Sequence, residues 1–363
     1  MQLNRERTAR IEAIDIARAL AVLGVVFNHS VDGLLAARIM SDGSFIADLN
    51  GALYMVRMPA LAFVLGLFLP RASEKRGVRG YIREKVVFAT YIYVVWFMIQ
   101  TVVEIATSSL KNSPREMESL FAVWSMPAHL WFMPYLAVSA VVLGLTAPWR
   151  TTARGFVVLL VLAIGSILAW GWNPAIFGLR GLCLLAFTGA GALIGAQRLG
   201  VALTLQPIAW MFSGAAALSG FILLLGVGVA PGTVPQLGYY GFGESAVSAV
   251  TAGLGIIVLL AFAVFLSHIP KVRGIFRSFG TKTLEIYLAH VIVVAGTRIA
   301  LVRLGLESET VFLTIAMIFG VGAPVIMAIL TPRLRLSWLF CVPGALGRWS
   351  RAANKNTAVL SGN

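Results

Sequence analysis

From Ile14 to Leu330 the chain alternates long unbroken apolar runs with short segments that carry most of its charge. A run of about 20 apolar residues spans a hydrocarbon core as a helix. The runs are continuous rather than alternating and are too long for barrel strands, so helices must satisfy the backbone within lipid. The pattern predicts an all-α, polytopic transmembrane bundle of about ten spans, at 14–36, 48–70, 86–107, 129–147, 155–172, 177–196, 206–230, 244–267, 283–304 and 310–330. The fifth and sixth are divided only by the short break Gly171–Trp172–Asn173–Pro174. The expected organisation is a cytoplasmic N-terminal segment (1–13), a transmembrane domain (14–330) and a basic cytoplasmic tail (331–363) ending in a disordered polar stretch.

Composition agrees with a chain that lies mostly in the bilayer. Hydrophobic residues make up 59% and charged residues 12%, against roughly a quarter charged in soluble domains, and the mean hydropathy is +0.87. A net charge of +14 would suggest a nucleic-acid partner in a soluble protein. Here the cations sit in short connections, so no nucleic acid is implied. With the N-terminus in the cytoplasm, 21 of the 29 Lys and Arg fall on the cytoplasmic side and 5 on the other, while Arg18, Arg57 and Arg298 lie within spans. That asymmetry places both termini in the cytoplasm, requires an even number of spans and puts the loop at 108–128 outside. Cys183 and Cys341 are far apart, which argues against a disulfide, and no metal-ligand spacing is present. The first run contains Asp15 and Arg18, is long enough to span and is followed by no clear small-residue cleavage site, so it is not read as a cleaved signal.

Ionisable side chains within spans are the candidates for chemistry, because each costs roughly 3 kcal/mol or more near the bilayer centre. On the first helix, Arg18 and His29 are eleven residues apart, nearly the same face about 16 Å further along the axis. Asp15 lies three residues before Arg18, at a spacing that lets a carboxylate meet a guanidinium. Snorkelling would explain Arg18 alone equally well, but Asp15, Arg18 and His29 together on one stripe have little packing value. Arg57, two residues before Pro59, fits either a snorkel to the outer headgroups or a site role. The basic loop at 71–85, which includes Arg76, Arg79 and Arg83, fits a topology signal touching anionic lipid, or a landing surface for a polyanionic ligand. His129 and Trp131 open the fourth span, and Tyr287 and His290 lie in the ninth.

These residues carry a resemblance. The stretch from Arg10 through Asp15 and Arg18 to His29 resembles the first helix of the acyltransferase 3 family of integral membrane O-acyltransferases, whose hallmark is an Arg followed eleven residues later by a His. His129-Leu130-Trp131-Phe132 is similar to that family's HxWF-type motif, and Ile286-Tyr287-Leu288-Ala289-His290 to its late IYLxH motif. A Phe-Leu-Ser-Gly run common in the second span has no Ser here, where Val64-Leu65-Gly66 stands.

The resemblance implies transfer of an acyl group, acetyl in the first instance, from cytosolic acyl-CoA to a hydroxyl of a cell-surface or lipid-linked glycan, in a bacterial inner membrane and without a metal. It implies His29 as general base, Arg18 as stabiliser of a phosphate or of the thioester oxyanion, and Asp15 as the group that orients Arg18. Arg57, His129, Trp131, Tyr287, His290 and the cations Arg76, Arg79 and Arg83 would bind substrate. A proton- or anion-coupled secondary transporter is the alternative, since a bundle with internal Arg, Asp and His suits either task.

Overall fold

The computed structural model describes residues 2–107, 117–124, 129–174, 176–234, 240–306 and 308–344, with side chains from residue 12 onward. In chain order the helices are α1 (Gln2–Ala36), α2 (Phe45–Leu67), α3 (Leu69–Arg76), α4 (Val78–Ala106), α5 (Phe132–Thr146), α6 (Thr152–Leu168), α7 (Leu185–Ile194), α8 (Ala196–Leu205), α9 (Pro207–Leu225), α10 (Phe242–Ser267), α11 (Pro270–Thr281), α12 (Thr283–Arg303) and α13 (Glu309–Leu330).

Seven of the described helical segments are long and apolar enough to cross a membrane: α1 from Glu12, α2 continued by α3, α4, α9, α10, α12 and α13. The fourth to sixth expected runs fall on shorter helices, with 15 residues in α5, 17 in α6 and 10 in α7. Local backbone explains the shortening. Gly178 and Gly181 sit at φ 83° and 87°, so the sixth run begins in turns instead of helix. Gly195, at φ 75°, then separates α7 from α8, and the pair is bent by 74°. The segment at 71–85, expected as a loop, is helical on both sides of Gly77, whose φ of 70° is the only break. Its Arg, Lys and Glu content favours helix, and a glycine in the left-handed region is the usual way to end one helix and start another. The expected outward loop at 108–128 is described only at 117–124.

α1 runs through the middle of the bundle, touching α2, α8, α10, α11, α12 and α13. Ile14, Ile16, Ala17, Ala21, Val22, Val25 and Val26 are all buried, as expected of a helix apolar on nearly every side. α2 is enclosed from Met55 to Val64 and crosses α7 at close range. There Gly66 lies against the backbone of Thr188 and Gly191 against that of Phe63, so a side chain at either glycine would collide with main chain. Small residues that let backbones approach are the usual basis of helix association in lipid. α6 and α9 instead expose Phe156, Val157, Leu160 and Val161, and Ile208, Met211, Phe212 and Leu223. Exposed apolar faces of this extent belong against acyl chains, and the protein is an integral membrane protein.

The chain after α13 starts as folded structure. Trp96 Nε1 donates to the Leu339 carbonyl at 2.8 Å, Tyr91 donates its hydroxyl to the Trp338 carbonyl at 3.0 Å, and the Phe340 ring packs against Trp96. The polar stretch expected to be disordered begins beyond these contacts and lies outside the described residues. Cys183 is buried, Cys341 is exposed and both are free thiols.

Candidate active site

Helix direction sorts the candidate residues into two levels. α2 runs antiparallel to α1: Asn50 donates to Asn28 Oδ1 at 3.1 Å, and Arg57, further along α2, packs opposite Gly24. α12 runs parallel to α1. Gly280, just before it, meets Asp15; His290 meets His29; and Arg298 Nη1 donates to the Gly33 carbonyl at 2.7 Å. One level therefore holds Asp15 and Arg18, and the other, about 16 Å along α1, holds His29.

At the first level the expected pair forms, with Arg18 Nη2 2.9 Å from Asp15 Oδ1. Glu12 faces Arg273 at 3.6 Å and Arg277 at 3.5 Å, both on α11. Because α2 descends toward this end, α3 and the start of α4 lie here as well, bringing Arg76, Arg79 and Arg83. Arg76 is held by Glu84 at 2.6 Å. On α4, Arg83 is about 26 Å below Gln100, which belongs to the other level.

At the second level three imidazoles converge, from α1, from α12 and from the turn that leads into α5. Ring centroids are 5.1 Å apart for His29 and His290, 5.3 Å for His129 and His290, and 5.9 Å for His29 and His129. His129 and His290 are buried, and His29 borders a cavity. Hydrogen bonding assigns the tautomers. His290 Nδ1 lies 3.0 Å from the Ile286 carbonyl, which can only accept, so Nδ1 carries the proton and Nε2 is left with a lone pair. That Nε2 is buried and has no hydrogen-bond partner among the described residues. Gln100 donates from Nε2 both to the Leu288 carbonyl and to His129 Nε2, the latter at 2.9 Å. His129 Nε2 accordingly accepts. Tyr287 donates its hydroxyl to the His129 carbonyl, fixing the start of the fourth span against α12. Among the described residues no group of three or more His, Cys, Asp or Glu has metal-holding geometry. The His290 and His129 rings are held by a backbone carbonyl and an amide, not by carboxylates.

Arg57 adjoins this level and is not a snorkel. It is 3% exposed, its guanidinium lies 3.6 Å from the Tyr54 ring centroid and its Nη1 donates to Asn50 Oδ1 at 3.1 Å. Its Nη2 is buried and has no partner among the described residues. Asn50 links it onward to Asn28 and Asp32, which are joined to each other at 2.9 Å. Trp131 is buried, with the Arg180 guanidinium 5.3 Å above its ring and Gly181 against its edge. Asn28, Asp32, Asn50, Gln100 and Arg180 were not singled out from the sequence. The only sequence signal for Gln100 is an amide in an otherwise apolar run, and Asn28 had the further cue of adjoining His29.

The structure thus brings together His29, His129, His290 and Tyr287, sets Arg57 and Trp131 beside them, and leaves Asp15, Arg18, Arg76, Arg79 and Arg83 at the other end of the bundle. Searches of curated proteins and of solved structures gave no significant match. A family model described as an acyltransferase domain, that of the acyltransferase 3 family, matches residues 11–329, which include both levels and every helix from α2 to α12. The chain therefore belongs to the acyltransferase 3 family and is a membrane acyltransferase.

Proposed function

We propose that the protein moves a short acyl group, acetyl in the first instance, from cytosolic acyl-CoA to a hydroxyl of a cell-surface or lipid-linked glycan at a bacterial inner membrane. The observation that supports this most is the three-imidazole cluster, with one buried lone pair unengaged, set about 16 Å from a level rich in cations. His29 faces the cavity and takes the proton of the acceptor hydroxyl as its oxygen attacks the thioester carbonyl. The tetrahedral adduct collapses, the C–S bond breaks, and the imidazolium returns the proton to the leaving thiolate, so that an ester and a free thiol result. His129 and His290 hold and orient His29, while Arg57 offers its unengaged Nη2 to the oxyanion. At 16 Å, Arg18 serves the phosphates of an extended donor and not the reacting carbonyl. Arg76, Arg79 and Arg83 add attraction for that polyanion.

The test is thioester consumption and ester formation by purified protein in liposomes, together with mass spectrometry of surface glycans from cells with and without the gene. An acyl-sized mass difference is expected; identical glycan masses and no thioester turnover would sink the reading. Orientation has its own check. In a Cys341→Ser background, Asp42→Cys should react with an impermeant thiol reagent in intact cells and Glu74→Cys only after permeabilisation; the reverse pattern inverts the assignment.

A further inference from the structure

The far side of His29 from Arg18 holds a cavity of about 100 Å³ between α1, α12 and α13. His29, Ser30 and Gly33 form one wall, Val294 and Arg298 a second, and Ala316 a third. That is room for a few small polar groups beside the imidazole. Ser30 turns its hydroxyl to the Val26 carbonyl, so its donor is spent within α1. That leaves His29 and Arg298 as the wall groups able to act on a guest.

Arg298 is a cation in a membrane-spanning helix, two turns beyond His290. Among the described residues no carboxylate comes within ion-pairing distance of it, and its hydrogen bond goes to a neutral carbonyl, that of Gly33. An intramembrane guanidinium is expensive and is ordinarily matched by an opposite charge. An apolar acyl chain would gain nothing from such a wall, whereas a carboxylate or phosphate would complete it bidentately. On the acyl-transfer reading, the donor's own phosphates go to Arg18 at the opposite end.

We propose that this cavity receives one edge of the acceptor: the hydroxyl that His29 deprotonates and, beside it, an anionic substituent, a carboxylate or a phosphate, that pairs with Arg298. The seat rests on the acyl-transfer reading above for its purpose, but its binding can be read without turnover. It would select acidic saccharides over neutral ones.

Calorimetry on the full chain in lipid nanodiscs, with methyl glucuronide, glucose 1-phosphate and neutral methyl glucoside as probes, tests it, and the first two separate the carboxylate from the phosphate. The wild type should bind at least one anionic probe about tenfold more tightly than the neutral one. Arg298→Gln should abolish that preference while leaving methyl glucoside binding in place. Arg298→Lys should restore part of it. Ala316→Leu, which fills the cavity, should weaken all three probes and leave acetyl-CoA binding unchanged. Equal affinity for charged and neutral probes in the wild type, or a preference that survives Arg298→Gln, overturns the proposal. If the preference follows Arg298 but no acetyl-CoA is consumed with any probe, the anion seat stands and the acyl-transfer reading fails.

Discussion

The two levels of α1 carry polar side chains in opposite ways. At the Arg18 level the pairs are complementary, and their cations reach solvent: the side chains of Arg18, Arg273 and Arg277 are 29%, 45% and 53% exposed. Such pairs are screened and are each worth about 1 kcal/mol or less. At the His29 level the groups are enclosed, some of their partners come from distant parts of the chain, and atoms on His290, Arg57 and Gln100 are without a partner among the described residues, as against Arg18 Nε at the first level. A buried polar atom without a partner costs about 1–3 kcal/mol. On the proposed reading, the enclosed level holds groups ready for a substrate and the charged level holds groups that attract one. The first should fail steeply when altered, and the second gradually.

The steepest expected effect is at His29. His29→Ala should lower product formation at least about a hundredfold, the range of a lost general base, with protein abundance and acyl-CoA binding close to wild type. Near-normal turnover in that variant would move the role to His290 or His129. Arg18→Ala should act on the donor instead, weakening acyl-CoA binding by about 2 kcal/mol or thirtyfold. Arg18→Lys should recover a fraction, because a point charge replaces a planar fork incompletely. If Arg18→Ala lowers kcat at saturating donor as severely as His29→Ala does, the division into two levels is wrong.

Gln100→Leu sharpens the comparison from inside the buried level. Gln100 bonds His129 and the Leu288 carbonyl and should act by position, lowering kcat by about 1 kcal/mol, roughly fivefold, with donor KM unchanged. Restoration by Gln100→Asn, but not by Gln100→Met, separates the hydrogen bond from mere filling of space. The smallest effect belongs to Arg76, Arg79 and Arg83. Replacing all three by Gln should raise the donor requirement about two- to fivefold at low ionic strength and make no difference near 0.5 M salt, where exposed charges are screened within a few ångströms. A donor requirement that does not change at low salt reduces these residues to topology signals.

The chain by itself determined the solvent and the elements. Continuous apolar runs demand helices in lipid, and each of the ten expected runs falls on one. The Asp15–Arg18 pair was equally legible, because three residues of helix place those groups together whatever surrounds them. The stripe from Arg18 to His29 follows from the same geometry. What periodicity could not supply was lengths and partners. The shortened α7, its bend from α8 and the helical form of 71–85 turn on single glycines whose φ depends on tertiary context. Arg57 read equally as a snorkel or a site residue until α1 and α2 closed over it. The meeting of His29, His129 and His290 was beyond reach for the same reason: helical periodicity states which residues share a face but not which faces meet. That choice was made by close crossings such as Gly66 on Thr188, where two backbones touch because neither has a side chain between them.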